Sequence, residues 1–176
     1  MFCVGQTVLY GSNGVCMVDD VTEKRIGKTK MQYYVLKPLC NNTSTLFVPT
    51  ANQQLVSKMR RILTEDEAEA ILRDLPPCGD WNDNKQERSE QFRAIITEGS
   101  CVELIRLIRL VRTHGQEQLA GGKRLHITDE RFLKEAEKMV CEEFSLVLHI
   151  SRVPCLNPRR GLTLLSPVCR DPAIGA

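Results

Sequence analysis

The Pro76-Pro77 pair constrains this chain more than any other feature, because it separates two stretches with different side-chain periods. Proline has no amide donor and pushes the residue before it out of helical backbone, so no helix is expected to run through this point. Upstream the pattern is one of short strands: Thr7-Val8-Leu9-Tyr10, Val15 to Thr22, Gln32 to Leu36, Thr45 to Val48, and Leu55-Val56 as a closing segment. Turn chemistry separates them. Ser12-Asn13-Gly14 tolerates positive φ, Gly27-Lys28 suits a hairpin tip, and Pro49 withdraws a ladder donor where a strand should stop.

Short strands this closely spaced predict a small, strongly curved β-barrel of the SH3 or Tudor type over residues 1–60. Residues 61–80 read as helix and linker. Thr64-Glu65-Asp66-Glu67 has the capping-box pattern, Ala68, Ile71, Leu72 and Leu75 form an apolar stripe, and Pro76-Pro77 ends the helix, which places the domain boundary at 76–80. From Trp81, the single tryptophan, the chain reads as helices to about residue 150. Phe92, Ile95 and Ile96 share one face and Gly99 stops it; Ser100-Cys101-Val102-Glu103 predicts a second capping box. The helix that follows is apolar nearly all round except at Arg106, Arg109 and Arg112. After Gly121-Gly122, a last helix from near Thr128 carries Phe132, Ala136, Met139, Val140, Phe144 and Val147 on one face. The predicted class is α+β, an N-terminal Tudor/SH3-like β-barrel followed by an all-helical domain over 81–150. Residues 151–176, with Pro154, Pro158, Pro167 and Pro172 and no period, are expected to be a disordered tail.

Charge and composition narrow the function classes. Residues 80–150 carry eleven basic and thirteen acidic side chains, so any DNA contact there must rest on local patches. The eight cysteines include no CxxC pair, and their scatter fits reduced, mostly buried thiols rather than a disulfide framework or a zinc site. No apolar run reaches the roughly 20 residues of a membrane span. P-loop, GxGxxG, HExxH and GxSxG patterns are absent. The adjacent pairs Asp19-Asp20 and Glu142-Glu143 read as solvated surface, since neighbours point to different faces. No catalytic residue, metal ligand, cofactor or small-molecule substrate is expected, and the reading is that of a non-enzymatic adaptor.

Phe2-Cys3-Val4-Gly5-Gln6-Thr7-Val8-Leu9-Tyr10, the Gly14-Val15 turn, Tyr33-Tyr34-Val35-Leu36 and Val48-Pro49 look like the N-terminal module of the CarD/CdnL family of bacterial transcription regulators. The second half resembles the family's helical domain, in a clostridial-type form, at Trp81 with Arg88 seven residues on, at Gly99-Ser100, and at Leu125-His126-Ile127-Thr128-Asp129-Glu130-Arg131-Phe132-Leu133-Lys134-Glu135-Ala136. The resemblance implies a cytoplasmic bacterial protein. Its Tudor-like module, shared with the transcription-repair coupling factor, would dock on the RNA polymerase β subunit. Its helical domain would contact promoter DNA at the upstream edge of the bubble, with Trp81 as a minor-groove wedge that stabilises the open complex.

Carried over residue by residue, the resemblance offers Lys24, Arg25, Ile26 and Phe47 for polymerase binding, although some relatives have arginine where Phe47 stands. For DNA it offers Trp81 and Arg88, the latter as a phosphate contact or as a cradle for the indole; Lys85, Lys123, Arg124, Arg131 and Lys134 are weaker basic candidates. Bland readings stand beside these: Trp81 packed on Ile95 or Leu72, Phe47 in the barrel core, and the lysines and arginines solvated. Asp83, Glu87 and Glu90 stand where some relatives are basic, which should weaken free DNA binding. The alternative to a DNA role is a protein-interaction module whose helices are only a scaffold.

Overall fold

A computed structural model describes residues 1–26, 29–40 and 44–149. The hairpin tip at Gly27-Lys28 and the tail over 151–176 lie outside the described residues. The chain divides into two compact units, Met1–Ile62 with Thr97–Gly99, and Leu63–Ile96 with the chain from Ser100 onward.

The first unit is built on one antiparallel sheet of five strands: β1 (Thr7–Tyr10), β2 (Val15–Ile26), β3 (Thr29–Pro38), β4 (Leu46–Pro49) and β5 (Met59–Arg61), in the order β4-β3-β2-β1-β5. Val8, Cys16, Val18, Tyr34, Leu36, Val48 and Met59 form its core, at the alternating positions a one-sided sheet requires. The β2–β3 ladder shifts register between Val18 and Asp20. At this bulge Asp19 is half-buried and meets Lys37 across the ladder at 2.9 Å, while Asp20 caps the amide of Val21 at 2.8 Å.

Three expectations change here. The described pairings form an open ladder, and barrel closure is not among them. Leu55-Val56 is helix, not strand: Asn52 Oδ1 accepts from the amide of Leu55 at 3.2 Å and starts a short helix, α1 (Gln53–Val56), leaving Met59–Arg61 to pair with β1. The β2–β3 hairpin is also longer than its apolar run, because backbone pairing continues through exposed Glu23, Lys24 and Arg25.

The second unit holds α2 (Glu65–Arg73), α3 (Lys85–Glu98), α4 (Cys101–Ala120) and α5 (Ile127–Val147). The Thr64–Glu67 capping box forms in full, with Glu67 N donating to Thr64 Oγ1 at 3.2 Å and Thr64 N to Glu67 Oε2 at 2.9 Å. The second box does not. Ser100 makes no side-chain cap bond, and the Glu103 carboxylate that would return to its amide pairs instead with Arg106 one turn ahead at 2.6 Å. Phe92, Ile96, Leu104, Ile105, Leu107, Ile108, Val111, Ala136, Met139, Val140, Phe144 and Val147 are buried and make the core.

Two readings of polar residues are overturned. Glu143 is 1% exposed rather than solvated, and it accepts from the amide of Leu63 at 3.0 Å, so the last helix holds the segment leading into α2. The thiols are not mostly buried: among the described cysteines, Cys3, Cys40 and Cys78 are exposed and only Cys16 and Cys101 are buried.

Candidate functional site

Trp81 sits four residues before α3, in a segment wound by its own amides. Asn82 Oδ1 accepts from the amide of Asn84 at 2.9 Å, and Asn84 Oδ1 accepts from those of Gln86 and Glu87 at 3.1 and 3.4 Å. Asparagine side chains compete well for local amides, so Asn82-Asp83-Asn84 makes a compact turn that opens the helix. Glu87 closes it, accepting from Asn82 Nδ2 and Asn84 Nδ2 at 3.2 and 2.7 Å.

The indole is half-buried and has ring contacts from α3 and α4. His114 of α4 stacks on it with ring centroids 3.6 Å apart and planes 8° from parallel. Phe92 of α3 meets it edge-on at 6.4 Å, and Phe132 of α5 meets Phe92 edge-on at 5.8 Å. Arg88 Cζ lies 4.4 Å from the indole centroid.

Arg88 is itself buried, and its fork is committed. Nε and Nη2 reach the two carboxylate oxygens of Asp129 at 3.2 and 2.9 Å, and Nη1 donates to the carbonyl of Asn82 at 2.6 Å. Of the two roles the sequence left open for Arg88, the geometry fits the cradle: the guanidinium is buried over the indole, and each of its three nitrogens donates to Asp129 or Asn82. Around the indole, Asp83, Arg88, His114, Gln118, Arg124, Leu125, His126 and Asp129 line a largely polar cleft of about 230 Å3.

The other basic candidates divide. Arg124 lines this cleft, and exposed Lys123 precedes it in the α4–α5 connection. Lys85 is exposed at the first position of α3, and Arg131 is exposed on α5. Lys134 is exposed and pairs with Glu130 one turn back at 2.8 Å, a contact that holds the Glu130 carboxyl below its ordinary range. The aromatic neighbours of Trp81 are Phe92 and His114.

Sequence reading missed His114, Asp129 and Asn82. His114 follows Leu107 and Val111 at helical spacing and so continues the buried stripe of α4, a signal that was available. Arg109 was seen only as a break in an apolar helix. It donates to the carbonyls of Leu75, at 3.4 Å, and Pro76, so it holds the backbone at the proline break.

On the first unit, Lys24 of β2 and Phe47 of β4 come together, with Lys24 Nζ 3.2 Å from the ring centroid. Phe47 is 44% exposed, which removes it from the core, and Arg25 is exposed beside Lys24. Ile26 ends β2, and its side chain lies outside what is described. Phe47 stands on β4, the strand at one end of the ladder, while Lys24, Arg25 and Ile26 belong to the hairpin end of β2, the middle strand of the order.

Residues 2–63 match the family model described as the CarD-like/TRCF RID domain. The first unit is thus similar to a CarD-like RID domain. A RID domain is an RNA polymerase-interacting domain, and the match suggests a transcription-related, polymerase-interacting role. The match covers all five strands of the RID domain and ends where α2 is about to begin, so Trp81 and its cleft lie beyond it. A search of curated proteins finds no match. Among the described residues no helix is long and apolar enough to cross a membrane, and no group of three or more His, Cys, Asp or Glu side chains is placed to hold a metal ion.

Proposed function

We propose that this protein is a non-enzymatic bacterial transcription regulator that docks through its RID domain on the RNA polymerase β subunit and lays Trp81 against promoter DNA at the upstream edge of the bubble. The observation that carries the DNA half is the mounting of Trp81. A single large flat ring stands half-exposed at the opening of α3, gripped by a buried ion pair and a stacked imidazole, with Arg124 on the rim of its cleft. Apolar wedges gain at unstacked or widened steps that intact duplex does not offer. A ring fixed in this way binds opened DNA better than closed DNA, and that difference in affinity shifts the population toward the open complex.

The surrounding charge fits a tethered contact. Asp83, Glu87 and Glu90 lower the free affinity for a polyanion, and docking on polymerase supplies the effective concentration that weak binding needs. Docking itself fits Phe47 and Lys24, an exposed ring on the terminal strand β4 with a cation over its face.

The test is open-complex lifetime on a promoter with polymerase and the full chain. Trp81→Ala should shorten the lifetime while recovery on polymerase stays near that of the parent protein. An unchanged lifetime sinks the wedge, and retained polymerase binding with no DNA protection would favour the scaffold alternative.

A further inference from the structure

The two groups that grip Trp81 most closely do different jobs. Arg88 binds the backbone carbonyl of Asn82, the residue next to Trp81, and is aimed by Asp129 of α5, so this pair fixes where the indole's own segment lies. The Arg88 guanidinium also stands over the indole, with Cζ 4.4 Å from the ring centroid, a longer contact than the one His114 makes. His114 touches the ring itself, nearly parallel at 3.6 Å. Its other close polar neighbour, Glu117, is 3.9 Å from Nδ1, beyond hydrogen-bond range, so the stack is the short contact its ring makes.

We propose that His114 is a positioning residue: it is the platform that fixes the plane of the Trp81 indole, so that the ring meets DNA already oriented. The effect on DNA rests on the wedge reading above, whereas the effect on the ring does not. An indole without its platform regains torsional freedom, which it must lose again on insertion. Neither hydrogen bonding nor charge from His114 enters this role; a flat face at the right height is what it supplies.

Because Trp81 is the only tryptophan, its fluorescence reports this one ring. The protein with His114→Leu carries a side chain of similar size with no flat face, and His114→Phe restores one. His114→Leu should lower indole anisotropy, raise acrylamide quenching and shorten open-complex lifetime by roughly two- to tenfold, the range expected for re-ordering one side chain. His114→Phe should return all three toward the parent values, with helical circular dichroism unchanged throughout. If His114→Leu folds poorly, His114→Gln, which also lacks an aromatic face, carries the same comparison.

Unchanged anisotropy and quenching in the folded variant overturn the platform. A freed indole with an unchanged lifetime, where Trp81→Ala does shorten it, overturns the positioning role and leaves the wedge standing. If Trp81→Ala has no effect, the wedge fails, and the fluorescence comparison alone still decides whether His114 holds the ring.

Discussion

Arg88 of α3 and Asp129 of α5 form a two-bond fork, 3.2 and 2.9 Å long, with side-chain exposures of 7% and 2%, and the same guanidinium holds the turn that carries Trp81. A buried pair of this kind owes little of its net worth to Coulomb attraction, because desolvation offsets most of the gain. What it supplies is a fixed distance between two helix beginnings and a partner for the carbonyl of Asn82.

Removing one partner should therefore cost far more than replacing both. Asp129→Ala strands a buried guanidinium and should destabilise the helical unit by about 3–5 kcal/mol. The double variant Arg88→Met with Asp129→Leu should recover a large part of that loss. Urea unfolding followed by far-ultraviolet circular dichroism measures both, and equal losses in the two proteins would contradict the account.

The two helix starts, at Thr64 and Ser100, should respond differently to the same substitution. Thr64→Ala removes a formed capping box and should cost about 1 kcal/mol. Ser100→Ala should cost much less, since the hydroxyl of Ser100 makes no cap bond. The two midpoints of urea unfolding, compared at equal slope, decide this.

Charge reversal at Lys24 and Arg25 should weaken recovery of the polymerase β subunit in a pull-down. Both side chains are exposed and lie outside the apolar core of the sheet, so thermal stability should stay within a few tenths of a kcal/mol. Phe47→Ala should also weaken recovery, by removing the ring that Lys24 covers. Undiminished recovery in all three would place the docking surface elsewhere.

Alkaline unfolding should depend on Tyr10. Burial, and secondarily the neighbouring Cys16, raise its hydroxyl above the ordinary value of 10.0. A raised folded value means the unfolded chain ionises first. The contribution to stability is full below about pH 10 and is lost as pH rises through the folded value. Tyr10→Phe should therefore show a shallower fall of stability above pH 10 in a urea titration.

Much of the fold was legible because its signals are local. Alternation placed the core of β1 to β4, Thr64 and Glu67 marked a helix start, and helical spacing from Phe132 to Val147 marked the buried face of α5. Leu55-Val56 was misread because an apolar pair with β-favouring Val56 was weighed without the Asn52 cap behind it. Glu143 was misread because adjacent carboxylates were judged by their neighbours in sequence, whereas its partner, the amide of Leu63, is eighty positions away.

The sequence by itself determined the strand-then-helix order and the family resemblance of the N-terminal module, since periodicity, turn chemistry and motif spacing are properties of neighbours along the chain; the two units part at Ile62 and Leu63, ahead of the prolines where the sequence placed the boundary. Tertiary structure alone decided how Trp81 is mounted. Arg88 and Asp129 are forty-one residues apart, and His114 comes from a third helix. Whether an arginine faces a phosphate or a buried carboxylate depends on what folding brings beside it, and desolvation then fixes the choice by making an unpaired charge too costly to leave.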